Sequence, residues 1–174
     1  YRNNDKNGIL KVNLKNKNNI FDYKLKKNSL DYSLKDSSKI FNGLIEFKPF
    51  YSLLNIKYQS FKLKNLINNP LFNEIIKSDL IKNDNLNAQI NLSVTKILDF
   101  DRFNDLSLKS NIQEGILNFS GSKVKWKDNL ILFLEEGFID HDDNSIFFNG
   151  RVVINITDED DFFKFFQISK NLRK

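Results

Sequence analysis

The chain has 174 residues, 27 basic and 22 acidic, for a net charge of +5. One domain is the default at that length, with room for a real core. The positive excess is spread out and Arg is confined to Arg2, Arg102, Arg151 and Arg173, which argues against a nucleic-acid groove of clustered Lys and Arg; the absence of Cys removes disulfides, thiolate metal sites and thiol nucleophiles.

Tyr1 to Asn7 is polar and reads as a loose lead-in. The chain begins at Tyr1 and lacks Met, so it is expected to be a piece of a longer protein, with any signal peptide or membrane anchor outside it. Leu10, Val12 and Leu14 alternate with polar residues, as do Phe21, Tyr23 and Leu25 and then Leu30, Tyr32 and Leu34. Side chains alternate faces along a strand, so these are three one-faced strands joined by short polar turns. Phe41, Gly43, Ile45 and Phe47 hold one phase across Asn42-Gly43, which favours a continuous strand over a hairpin turn there. The same holds at Asn149-Gly150. Glycine inside a strand marks a bulge or close packing. Pro49 bends the chain, and Leu54, Ile56, Tyr58, Phe61 and Leu63 form the next strand.

From Pro70 the period becomes helical. Leu71, Phe72, Ile75, Ile76 and Leu80 fall on one stripe, predicting an amphipathic helix over about 70–82 that packs on the apolar sheet face. Alternation resumes with Leu86, Ala88, Ile90, Leu92 and Val94. After an irregular link over 95–105, it restarts repeatedly as far as Phe148, Gly150, Val152, Ile154 and Ile156. Glu114-Gly115, Gly121-Ser122, Asp128-Asn129, Glu136-Gly137 and Asp142-Asp143-Asn144 are the expected turns. Thr157 is expected to cap a second helix, about 158–168. Asp158 to Asp161 lie at its positive end, and Phe162, Phe163, Phe165, Phe166 and Ile168 are expected to be largely buried. The fold predicted is mainly β: an antiparallel meander forming a long curled sheet with an apolar concave face, plus two short amphipathic helices, in one domain over 1–174.

The residues for chemistry are sparse. Asp140-His141-Asp142-Asp143 contains metal-ligand types, but strand neighbours point to opposite faces, so it reads as a solvated hairpin tip. The acidic run at 158–161 is explained by a helix start. There is no Gly-x-Ser-x-Gly elbow, no phosphate loop and no Gly-x-Gly-x-x-Gly. No catalytic residue, metal or cofactor is therefore expected, and the chain is not read as an enzyme. Phe is abundant, 17 residues, and much of it lies on the apolar strand face. An ordinary core accounts for this; a face left partly open to acyl chains is the other reading.

The order of pieces from Phe41 onward carries a resemblance. It comprises the glycine-interrupted strand into Lys48-Pro49-Phe50, then Leu66-Ile67 before the predicted helix, then Asn85 to Ile90, Leu106 to Ile112 with the turn Gln113-Glu114-Gly115, and Leu117-Asn118-Phe119. Ser122 to Lys127, Ser145 to Asn155 with Gly150 inside, and Thr157-Asp158-Glu159-Asp160 with the Phe162 to Phe166 run complete it. Over about 40–170 this resembles the AsmA-like family of bacterial envelope proteins, which includes the TamB-like group. The resemblance implies a periplasmic location beside the inner membrane of a Gram-negative bacterium, with a membrane anchor outside this stretch. It also implies phospholipid as partner, neighbouring β-segments of the same chain as further partners, and lipid transport in outer-membrane biogenesis without catalysis. Candidates for the lining of such a hydrophobic groove are Phe41, Ile45, Phe47, Leu92 and Val94, together with Phe119, Trp126, Phe148 and Val152. The alternative is a structural or protein-interaction β-domain with a closed core.

Overall fold

Alternation of apolar and polar side chains commits most of the chain to strands. The computed structural model describes residues 5–14, 17–35, 39–68, 74, 83–127, 129–142 and 145–173. The first strands are β1 (Lys6–Leu14), β2 (Lys17–Leu25), β3 (Ser29–Lys35), β4 (Lys39–Phe47) and β5 (Phe50–Phe61). After a short helix α1 (Lys64–Ile67) come β6 (Ala88–Ile97), β7 (Phe103–Gln113), β8 (Ile116–Asn118), β9 (Ser122–Trp126), β10 (Leu130–Asp142) and β11 (Ser145–Ile156). Helix α2 (Glu159–Phe165) and a 3-10 turn (Lys170–Leu172) end the described chain.

All eleven strands join one sheet in nearly sequential order, with β8 and β9 sharing the place between β7 and β10. A sheet this wide twists, consistent with the expected curled form. The pairing departs from a pure meander at one place. β5 and β6 run parallel, with Leu54 beside Ile90, Ile56 beside Leu92 and Tyr58 beside Val94. Parallel neighbours need a crossover, and residues 62–87 provide it, with α1 at its start. The helix predicted over 70–82 falls in this crossover; apart from Glu74, which is helical, it lies outside the described residues.

Register keeps one face apolar from edge to edge. Leu10 opposes Phe21 and Leu25 opposes Leu30; Leu30 opposes Ile45, and Phe41 opposes Ile56. Further on, Leu92 opposes Leu108, Ile112 opposes Leu117, Val124 opposes Leu132, and Leu132 opposes Ile154. Strand β4 runs unbroken through Gly43, as the phase required. Tyr32 lies over this glycine, and a Cβ there would stand 2.7 Å from the Leu53 carbonyl oxygen and closer still to the Tyr32 ring. Strand β11 likewise runs through Gly150.

One expected turn resolves differently. Glu136-Gly137 is not a turn: β10 continues to Asp142, absorbing an irregularity between Leu134 and Glu136 as a bulge against β11. A bulge bends a strand without ending it. The turn expected at Gly121-Ser122 is present and separates β8 from β9. There Gly121 takes a left-handed φ of 82°, and the buried Ser122 hydroxyl accepts from the Lys109 amide at 3.0 Å and donates to the Phe119 carbonyl at 2.7 Å. The side chain thus replaces ladder bonds that the break removes.

The core lies at the centre of the sheet. Leu92, Val94 and Ile97 are buried there under Ile56, Phe61, Leu63, Leu66, Phe103 and their neighbours. A smaller cluster gathers Phe119, Leu86 and Ile139 on Ile112 and Leu117. The crossover is held down by Asp99 in the β6–β7 turn. Its two carboxylate oxygens accept from the Leu63 amide at 2.9 Å and the Lys64 amide at 2.8 Å, at the start of α1. Loss of surrounding water opposes ionisation of Asp99, but the backbone amides of Lys64, Leu63 and Asp99 itself, together with the Lys64 charge, outweigh it and hold its carboxyl below the usual range.

Leu92 is 6 % exposed and Ile154 52 %. Leu92→Ala is expected to cost about 3 kcal/mol and Ile154→Ala less than about 0.5 kcal/mol, as read from urea midpoints. Because the folded Asp99 pKa is depressed, its contribution is complete above the unfolded value of about 3.9 and is lost as pH falls through the lower folded value. Asp99→Asn is therefore expected to lower stability at neutral pH and to flatten its acid dependence below about pH 4, measured by the same midpoints across pH.

Candidate functional site

The apolar face is covered unevenly. Over β1 to β4 it stays open, and Leu10, Val12, Phe21, Leu30, Tyr32 and Ile45 line a groove of about 540 Å³ together with Tyr23. Each strand contributes every second residue, and in-register pairing sets those residues side by side across four strands. Phe21 and Tyr32 meet edge to face, 6.4 Å between centroids. Burial pushes the Tyr32 hydroxyl above its usual pKa, so it stays neutral at physiological pH. The lining thus offers apolar contact and no charged side chain, which suits hydrocarbon and gives nothing to hold an ion.

Of the nine sequence candidates, only Ile45 lines this groove. Phe41 and Phe47 share its face on β4. Phe41 packs edge to face on Tyr58 at 6.3 Å, and Phe47 is 45 % exposed opposite Phe50. Leu92 and Val94 are sealed in the central core, and Phe119 packs in the smaller cluster. Phe148 and Val152 lie exposed on the edge strand β11. The groove residues before position 40 are missing from the sequence candidates because those followed the resemblance, which starts at about 40. The alternation of Leu10 to Leu34 was the signal that could have supplied them.

Trp126 is buried by α2. Phe165 and Phe166 lie 4.7 and 6.3 Å from its ring, and the Arg102 guanidinium stacks 4.2 Å from the Phe165 centroid. Asp158, rather than Thr157, caps this helix by accepting from the Asp161 amide at 3.2 Å. The Thr157 amide instead donates to the Asn129 carbonyl at 2.7 Å, which ties the helix start to the β9–β10 turn. The helix is less buried than expected, with Phe166 55 % exposed. Phe165 and Phe166 pack on Trp126 while staying partly exposed, and Phe162 packs on Phe166 at 4.7 Å.

The tip Asp140 to Asp143 lies where β10 and β11 end, and its side chains fall outside the described residues. Among the described residues, no three His, Cys, Asp or Glu side chains gather to hold a metal, and no helix is long and apolar enough to cross a membrane. Comparison with known proteins finds no family model, no curated relative and no solved structure that matches the chain.

Trp126 is the only tryptophan, so its fluorescence reports this cover alone. Replacing both Phe165→Ala and Phe166→Ala is expected to shift its emission to longer wavelength and raise its quenching by acrylamide. Unchanged emission would mean that α2 does not shield the ring.

Proposed function

We propose that this chain is a non-enzymatic segment of an AsmA-like envelope protein. In this reading it binds or conducts phospholipid acyl chains along its apolar face, on the periplasmic side of the inner membrane of a Gram-negative bacterium, in support of outer-membrane biogenesis. The observation that carries the reading is a single apolar face maintained in register across the sheet and left open over β1 to β4. An acyl chain there gains about 0.8 kcal/mol per buried CH₂, so ten methylenes supply about 8 kcal/mol before the costs of association. That gain is non-directional, so a chain can slide along the face without leaving a single strong site. The open edges β1 and β11 would meet neighbouring β-segments of the same polypeptide, and the membrane anchor would lie outside this stretch.

A second reading, a structural or protein-interaction β-domain, is favoured by the sealed cluster around Leu92 and Val94. Solvent extraction of protein purified from membrane-containing cells separates the two. The lipid reading expects phospholipid to co-purify, and Leu30→Asp, in the groove floor, to reduce the bound lipid at least severalfold while circular dichroism stays unchanged. Lipid-free protein, or lipid retained equally by Leu30→Asp, would overturn it.

A further inference from the structure

The chain contains Asn-Gly three times, as Asn7-Gly8, Asn42-Gly43 and Asn149-Gly150. All three pairs lie inside strands, on β1, β4 and β11. In such a pair the glycine nitrogen can attack the asparagine side chain, because glycine carries no Cβ to shield it and rotates freely. What separates the three is where each glycine N–H points. Along an antiparallel strand the backbone groups of one residue bond to the neighbour on one side, and those of the next residue turn to the other side.

The Phe47 amide donates to the Asn28 carbonyl at 2.9 Å, so Phe47 faces β3, and by alternation so do Ile45 and Gly43. Gly43 therefore bonds to its register partner Tyr32. The Lys26 amide donates to the Ser29 carbonyl at 2.8 Å, which turns Lys26 toward β3 and Tyr23 toward β1, where its partner is Gly8. Both of these glycine amides are held in the ladder. Gly150 differs. Its partner is Gly137, whose N–H donates to the Ser120 hydroxyl at 3.1 Å and whose carbonyl accepts from the Phe119 amide at 2.6 Å, away from β11. The far end of β11 agrees: the Thr157 amide faces β10 through Asn129, and alternation from there turns Gly150 outward. Its N–H thus points along the edge of β11, beyond which no strand lies among the described residues. Asn149 is exposed, whereas the Asn42 Oδ1 is held by the Asn55 Nδ2 at 3.0 Å.

We infer that Asn149-Gly150 is a deamidation site, where Asn149 reacts with water to give aspartate and isoaspartate. The Gly150 nitrogen attacks the Asn149 side-chain carbonyl carbon, forming an N–Cγ bond and closing a cyclic imide. The Cγ–Nδ2 bond breaks, and Nδ2 leaves as ammonia with the proton that Gly150 gives up. Water then opens the imide. Cleavage of the new N–Cγ bond yields Asp; cleavage of the original peptide C–N bond yields isoaspartate, with the chain running through Cγ. One water is consumed and one ammonia released. Ring closure needs the Asn149-Gly150 peptide to leave the extended form. On β11 that releases bonds to β10 alone, a local opening at the sheet edge; on β4 it breaks pairing with two neighbours. Isoaspartate adds a backbone carbon and throws the residues beyond it out of register with β10. A strand docked along β11 would accept the Gly150 N–H and silence the site. Modification therefore records an edge that has stayed unpaired and then closes it to pairing. The site does not rest on the lipid reading.

The test is incubation of the folded chain at mildly alkaline pH beside a sample in concentrated urea, then digestion and mass spectrometry of the peptides carrying the three Asn-Gly pairs. In urea the three are expected to react at similar rates, since the dipeptide is the same. In the folded chain Asn149 is expected to react faster than Asn7 and Asn42 by about fivefold or more, the factor to which one interstrand hydrogen bond corresponds. Asn149→Gln, at an exposed position, lengthens the ring to be closed and is expected to remove most of the isoaspartate formed by the folded chain. The inference is overturned if Asn7 or Asn42 keeps pace with Asn149 in the folded chain, or if none of the three reacts while the urea sample is converted. It is equally overturned if Asn149→Gln leaves the isoaspartate yield unchanged. The lipid content of the protein bears on none of these outcomes.

Discussion

In-register cross-strand pairing of apolar residues is the constraint on which the molecule depends. A strand repeats every two residues, so a slip of one register position would carry its whole apolar set to the wet face. Leu10 against Phe21, Leu30 against Ile45, Ile56 beside Leu92 and Leu132 against Ile154 show the phase held from one edge of the sheet to the other. The phase survives the parallel step between β5 and β6, the break between β8 and β9 and the bulge in β10. Gly43 is part of the same constraint. It keeps the phase of β4 and gives the Tyr32 ring room to lie down against the backbone.

What lies over that face decides what each part can do. At the centre the crossover start covers β6, and Asp99 fastens it through two backbone amides. Leu92, Val94 and Ile97 become core. At one side α2 leans its rings on Trp126. Over β1 to β4, and along β11, the same kind of side chain stays exposed. The difference between core and groove is therefore one of coverage rather than of residue type. It also explains how one continuous surface can supply both a stable centre, where dry packing holds the strands together, and an open wing available for contact.

The reverse face follows the same register with different chemistry. Because partners in adjacent strands share a face, the period that lines up Leu and Phe on one side lines up Asp22, Ser33, Asn42, Asn55 and Asn91 on the other. The Asn91, Asn55 and Asn42 amides then hydrogen-bond in series. A row of this kind cannot be recognised along the chain, since its members are up to tens of residues apart and belong together only once the strands are paired.

Most strands, the unbroken passage through Gly43 and Gly150, and the late helix after Ile156 were legible in the sequence, because each rests on a local period or on residues at a helix start. The parallel return of β6 beside β5 was not legible, because pairing direction depends on which strand edge the chain rejoins and not on any local period. The turn expected at Glu136-Gly137 went astray because a bulge and a turn share turn-forming residues, and only the β11 partner distinguishes them. Capping falls to Asp158 rather than Thr157, whose chain position is set by the amides of both residues donating to the Asn129 carbonyl of another turn. The sequence by itself determined which residues could face oil and which water, for alternation is a property of adjacent positions. Which oily residues are buried, which line the groove and which polar residues stand in one row were decided only by tertiary structure, because coverage and register depend on segments far apart in the chain.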